Sequence, residues 1–205
     1  FYYKTFMGPV ASTRFWMFCE RFIRKAAGLG RASRQPDPAS YDIAHGFCDA
    51  LVVGSGPAGL TAAAGLAAQG LSVIVVEQDF DFGGDWLAKA EKANLARRDE
   101  LIAKITAAGG RLMARSTAFG LYDGHVAGVI ERRTDHLAAP HADIPREIFH
   151  IIRARHIILA TGALERGLAF GNNDKPGVML AHALTVYAGR YAVLAGRSAV
   201  LATCH

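Results

Sequence analysis

With 205 residues, of which 51% are hydrophobic and 20% charged, the chain can bury a sizeable core, which excludes disorder as its ground state. Its formal net charge of +5 is spread along the chain and no nucleic-acid module accompanies it, so nucleic acid is not an expected partner. The three cysteines, Cys19, Cys48 and Cys204, form no Cys-x-x-Cys pair and lack a histidine spacing suited to zinc, so a reduced, cytoplasmic chain without a structural metal is expected.

The N-terminus lacks a basic region followed by an apolar run and a cleavage site, so no secretory signal is expected. The longest apolar runs are too short or too interrupted to span a bilayer. The chain has no initiator Met and stops at Ala199–His205, which reads as a strand, so it is expected to be a fragment.

From Ala11 to Gly28, Phe15, Phe18 and Phe22 recur at helical spacing with Trp16 and Ile23, and Arg21, Arg24 and Lys25 fall mostly elsewhere. This predicts an amphipathic helix that packs on the domain or on a partner subunit in preference to a membrane surface. Gly28–Pro38 reads as a linker, and residues 1–47 as a helix-and-linker segment.

Cys48–Val53 is a short β-rich run, followed at once by Gly54-Ser55-Gly56-Pro57-Ala58-Gly59 and then the Ala- and Leu-rich stretch Leu60–Gln69. A second strand, Ser72–Val76, ends at Glu77, so strand, turn, helix and strand close within the length a βαβ unit requires. Trp86–Ala108 reads as one long charged helix stopped by Gly109-Gly110. The segment 112–152 reads as a small antiparallel insertion, with Asp123-Gly124 as a type I′ turn between Ala118–Tyr122 and His125–Ile130, and Glu147–Ile152 as a further strand. His156–Ala160 then reads as a separate buried strand ending in Thr161-Gly162. Residues 48–170 are therefore expected to form an α/β Rossmann-like dinucleotide-binding domain, and 171–205 to begin a second domain of nucleotide-binding type.

In such a turn Gly54 permits the sharp exit from the strand, Gly56 lets the backbone approach a pyrophosphate, and Gly59 lets the helix pack closely on the sheet. The N–H groups opening the helix, with its positive dipole end, hold the phosphates. Glu77 at the end of the second strand suits a ribose diol and repels a 2′-phosphate, which favours NAD or FAD over NADP. Asn172, Asn173 and Asp174 precede Pro176-Gly177 and read as a turn. None of the eight histidines has the spacing of a general base, so no catalytic residue is assigned.

The glycine turn, Gly83-Gly84 and Ala160-Thr161-Gly162 together resemble the first nucleotide domain of flavoproteins built from two dinucleotide-binding domains. That resemblance adds Gly83, Gly84, Thr161 and Gly162 to the turn residues and Glu77 as dinucleotide contacts. A narrower resemblance runs through Arg24-Lys25-Ala26-Ala27-Gly28-Leu29-Gly30, Pro36-Asp37-Pro38, Tyr41 and Cys48-Asp49, then Ala160–Arg166, Phe170–Leu180 and on through Tyr191. These stretches are similar to the α subunits of heterotetrameric sarcosine oxidases. The one noted departure is Gly167, where that family usually has Pro. The resemblance implies a subunit of a flavoprotein that oxidatively demethylates sarcosine to glycine, with hydrogen peroxide and formaldehyde or methylene-tetrahydrofolate as products. It implies NAD in this Rossmann site, with FAD as the alternative. It also implies FMN and FAD in the whole complex, a β-type flavin subunit and small subunits as partners, and tetrahydrofolate bound by other regions. An opine or amino-acid oxidase subunit holding FAD here, and a nucleotide-binding scaffold without turnover, are the other two readings.

Overall fold

Thr13–Ala26 form the first helix, α1, in the computed structural model, which describes residues 13–28, 30, 34–141 and 143–203. Contacts divide the chain into two units, Phe1–Pro38 and Ala39–His205. In the first unit, the apolar spacing read from the sequence places Phe18 one turn before Phe22, and their rings meet edge-on at 5.4 Å. Arg24 pairs with Glu20 at 2.5 Å, again one turn apart. Phe15, Met17, Phe18 and Phe22 are all exposed. Ala11, Ser12 and Leu29, which belong to the expected helix and to the resemblance, lie outside the described residues. No helix among the described residues is long and apolar enough to cross a membrane.

The second unit opens with β1, Tyr41–Val53, which begins well before the expected Cys48, so the expected division at residues 47 and 48 falls inside a strand. The cause is pairing: β1 runs parallel to β6, Glu147–Leu159, in one register from Tyr41↔Glu147 to Val53↔Leu159 that skips only Asp49 and Arg155. Read alone, Tyr41–Phe47 is weakly apolar; its ladder to β6 makes it a strand. The same pairing fuses the two strands expected at Glu147–Ile152 and His156–Ala160 into one.

β1 passes through the glycine turn into α2, Pro57–Ala67, and then β2, Val73–Val76, which pairs parallel to β1. Asp49 clamps that junction by accepting from Ser72 N–H at 2.9 Å and Ser72 Oγ at 2.7 Å. The single helix expected over Trp86–Ala108 is two, α3 over Asp85–Lys89 and α4 over Lys92–Ala107. Ala90 between them is left-handed at φ 51°, so the backbone turns there despite the helix-favouring sequence. The break frees α3 to lie against the later helix α5, Ala181–Tyr191, while α4 packs on α2.

β3, Arg111–Met113, pairs parallel to β2, so it is the third Rossmann strand rather than part of an antiparallel insertion. The insertion itself is β4, Ser116–Tyr122, and β5, Val126–Arg132, with β5 antiparallel to both β4 and β6. Tyr122↔Val126 closes the hairpin, so its loop is Asp123-Gly124-His125 with two left-handed residues, Gly124 at φ 73° and His125 at φ 55°, in place of a two-residue type I′ turn.

All six strands join in the order β3-β2-β1-β6-β5-β4. Residues of a regular strand share a face only at even spacing. Yet Cys48 and Leu51 of β1, and Ala154 and Ile157 of β6, meet one apolar cluster, so both strands turn their faces between these positions. Ala127 and Val129 of β5 belong to the same apolar cluster as Ile74 and Val76 of β2, although two strands separate β5 from β2 in the sheet. The other face of the parallel half, Ala50, Val52, Val73 and Val75, is covered by Leu60, Ala63, Ala64 and Ala67 of α2 and by Leu101 and Ile105 of α4. Small alanines let α2 approach closely, and fully buried side chains such as Leu60 and Ile105 each contribute about 1.5–3 kcal/mol.

After β6 come a turn at residues 171–174, α5 and a tail without regular structure among the described residues. Ala199–Thr203, expected as a strand, pairs with no strand and leaves Val200 fully exposed, since an unladdered segment has nothing to hold it extended. Cys204 and His205 lie outside the described residues.

Candidate functional site

The three glycines of the turn do different things. Gly54 has φ 99°, and a Cβ there would lie 2.3 Å from the Ala160 carbonyl oxygen, so it lets the end of β6 approach. A Cβ on Gly59 would lie 2.0 Å from the Gly54 carbonyl oxygen, so Gly59 seats α2 on the turn. Gly56, in contrast, has no heavy atom within 4 Å of where its Cβ would be. That open space lies in front of the N-terminus of α2, whose N-cap is Gly56 and whose first residue is Pro57, with no side chain capping it. The first helical bond runs from Leu60 N–H to Gly56 O at 3.0 Å, so the amides of Ala58 and Gly59 have no acceptor within the helix. A cradle without a side chain beneath unpaired helix amides fits a pyrophosphate.

Behind the turn, Ser55 is fully buried and does not line the cleft described below. Its N–H and Oγ donate to the same oxygen of Glu77, Oε2, at 2.8 and 2.7 Å, and Oγ accepts from Gly83 N–H at 3.2 Å. Asp79 N–H donates to Glu77 Oε1 at 2.9 Å. Gly84 packs on the turn, its Cβ position 3.0 Å from the Gly56 Cα, and Gly83 packs on Arg98 and Leu87.

These elements enclose a cleft of about 980 Å³. Of the residues singled out in the sequence, Gly54, Gly56, Pro57, Ala58, Glu77, Gly84, Thr161 and Gly162 line it. Ser55, Gly59 and Gly83 lie in the layer behind. Three further parts of the wall carry no sequence motif: Gln78 and Asp79 after the acid, Ser116–Ala118 at the start of β4, and His182, Val186 and Arg190 from α5.

α5 reaches the cleft through one ion pair and one carboxylate cap. Arg190 grips Asp79 through both guanidinium nitrogens, one of them at 3.0 Å, and its guanidinium lies 4.5 Å from the centre of the Phe80 ring. At the other end Glu165 accepts from Ala181 N–H at 3.1 Å and His182 N–H at 2.7 Å, satisfying the first amides of the helix. Partial burial pushes the Asp79 carboxyl up, but the Arg190 guanidinium and the Phe80 amide outweigh it and hold the group below the usual carboxylate range. A depressed carboxylate contributes its stability above the ordinary range and loses it as pH falls through the lowered value. Asp79→Asn is therefore expected to raise hydrogen exchange across Ala181–Tyr191 at neutral pH, and the unaltered chain to show that rise only in acid.

The Asn172–Asp174 run stays outside the cleft and is a turn, with Asn172 left-handed at φ 66° and Asn173 Nδ2 donating to Leu168 O at 3.2 Å. Burial and the neighbouring Asp49 push the Cys48 thiol up to about 11, which makes it a packing group rather than a nucleophile. His150 is buried with Nε2 2.7 Å from Glu131 and is not among the residues that line the cleft. No group of three or more His, Cys, Asp or Glu side chains among the described residues is arranged to hold a metal. The arrangement can bind and orient a dinucleotide; the cleft lining itself presents no nucleophile paired with a base.

Residues 49–93 match the family model for an FAD binding domain. The chain is 42% identical to the sarcosine oxidase subunit alpha of Rhizobium meliloti (strain 1021), over 99% of this chain and 21% of the relative. It is 40% identical to the subunit of the same name from Corynebacterium sp. (strain P-1), over 86% of this chain and 19% of the relative. Among solved structures, L-proline dehydrogenase from P. horikoshii superposes with a TM-score of 0.60 at 27% identity, covering 76% of this chain and 31% of that one. The chain spans about one fifth of the length of the curated relatives it matches. Along that stretch it is thus similar to the sarcosine oxidase α subunit, and it is built on an FAD-binding Rossmann-like α/β fold.

Proposed function

We propose that this chain is the adenine-dinucleotide-holding part of an oxidoreductase subunit acting on CH–NH donors, within a flavin-dependent enzyme that demethylates sarcosine. The observation that carries the reading is the cradle at Gly56 beneath the free amides of α2, set beside Glu77, in a chain similar over 99% of its length to a sarcosine oxidase α subunit. The match to the FAD binding domain ends at residue 93, so it covers the turn, the acid and Gly84, which face the ADP half shared by FAD and NAD. NAD is the dinucleotide that the family resemblance implies, and we place it here. Nucleotide released from the purified chain by denaturation is expected to absorb only in the ultraviolet; yellow absorbance would make it FAD.

When bound, the dinucleotide supplies hydride or electron chemistry. The chain's own residues hold it: amides of α2 at the phosphates, Glu77 at the ribose, Thr161 and Gly162 along the opposite wall. Glu77→Ala is expected to weaken ADP binding about ten- to a hundredfold in calorimetry, because hydrogen bonds to a charged acceptor contribute about 1.5–3 kcal/mol. A loss under threefold removes Glu77 from the site.

In the family that the chain resembles the substrate-oxidising flavin belongs to another subunit, so amine oxidation is assigned to a β-type flavin subunit. Peroxide release from sarcosine is expected only when the complete subunit is co-expressed with such a partner. Turnover by the isolated subunit would overturn this division, and an inactive complex would favour an opine or amino-acid oxidase.

A further inference from the structure

We infer that Ser55 is a positioning residue, whose buried hydroxyl latches the Glu77 carboxylate in the orientation that receives the adenosine ribose. The inference rests on the dinucleotide reading above. Ser55 is fully buried, so its side chain meets no ligand directly. Its hydroxyl is nonetheless engaged both as donor and as acceptor: it donates to Glu77 Oε2 at 2.7 Å and accepts from Gly83 N–H at 3.2 Å. With the Ser55 N–H also on Oε2 at 2.8 Å, that oxygen holds two donors, whereas Oε1 holds only the Asp79 N–H at 2.9 Å. A carboxylate oxygen accepts about two hydrogen bonds, so Oε1 retains the greater free capacity for a ribose hydroxyl.

A carboxylate on a flexible Glu side chain that must choose one orientation loses rotamer freedom when a ligand arrives. Ser55 fixes that orientation beforehand, so the cost falls on folding rather than on binding. The same hydroxyl ties three segments together: the phosphate turn, the acid at the end of β2, and the Gly83-Gly84 loop that abuts Gly56. An alanine at position 55 would remove one of the two donors on Oε2 and leave the Gly83 amide without its acceptor. The glycine motif leaves this position open, so its residue type carries no sign of the role.

The test compares ADP, which carries the diol, with 2′,3′-dideoxy-ADP, which does not. By calorimetry on the full chain, Ser55→Ala is expected to lose about tenfold in affinity for ADP and less than twofold for the dideoxy nucleotide. In a Glu77→Ala background the Ser55→Ala loss is expected to vanish, because the hydroxyl acts through the carboxylate. Ser55→Cys keeps the side chain's size with a weak donor and is expected to follow Ser55→Ala, which keeps the test open if the alanine variant melts early. Equal losses for both nucleotides would overturn the latch in favour of a loop-holding role, and unchanged ADP affinity would overturn it outright. An unaltered chain that binds neither nucleotide would instead remove the dinucleotide reading itself, and the latch with it.

Discussion

Gly59→Ala is expected to destabilise the second unit by about 3 kcal/mol or more, lowering Tm by about 6–12 °C. Two effects oppose each other at this position. Alanine is the better helix former by about 1 kcal/mol, which favours the substitution. Its Cβ, however, would lie 2.0 Å from the Gly54 carbonyl oxygen and 3.0 Å from the Gly54 carbon, both backbone atoms that cannot rotate away. The clash exceeds the propensity gain, so α2 would have to lift from the turn, taking Leu60 and Ala63 out of the core they share with Val52 and Val75. Gly65 in the same helix separates the two effects, since nothing lies within 4 Å of its Cβ position. Gly65→Ala should leave stability unchanged or raise it by up to about 1 kcal/mol. Thermal melts of the two variants decide the matter: equal behaviour would show that Gly59 is not a contact point.

The Rossmann unit was legible because its signals are local. A β-rich run, six turn residues, an alanine-rich helix and a strand ending in an acid follow each other without interruption between Cys48 and Glu77. What failed depended on distant partners. Tyr41–Phe47 becomes a strand only because Glu147–Arg153, more than a hundred residues later, lies beside it. The change of face along β1 and β6, which brings Cys48 with Leu51 and Ala154 with Ile157 to one cluster, depends on their pairing and was not read from either strand alone. The break at Ala90 is equally hidden, since Lys89-Ala90-Glu91 has the composition of a helix interior and adopts a left-handed residue for the sake of α5.

The site divides in the same way. The motif pointed to the cradle and the acid, but not to which residues face the cleft and which stand behind it. Ser55 and Gly83 belong to the motif by position, yet their atoms serve Glu77 and the packing of Arg98. Arg190 belongs to no motif, although the family resemblance runs past it: its partner Asp79 is 111 residues away, and only the placement of α5 joins them. A nucleotide that spans the cleft would therefore meet walls drawn from both ends of the unit, which makes α5 part of the site and not merely a continuation of the chain.

Gly56→Val should separate binding from folding more sharply than any other single change. The residue sits at φ −64° and ψ −178°, backbone values open to any side chain, and the space ahead of its Cβ is empty to 4 Å. No clash and no strained dihedral therefore opposes the substitution, and Tm is expected to stay within about 2 °C of the unaltered chain. The branched side chain would, however, stand in the volume between the free amides of α2 and an approaching pyrophosphate. Two charge-assisted hydrogen bonds lost together correspond to about 3–6 kcal/mol, so ADP affinity should fall about a hundredfold or more. Equilibrium dialysis against ADP, paired with a melt, reads both quantities on one sample. Unchanged affinity would move the phosphates away from the N-terminus of α2, and a large fall in Tm would mean that Gly56 serves the fold as Gly54 and Gly59 do, with the cradle reading lost along with the distinction among the three.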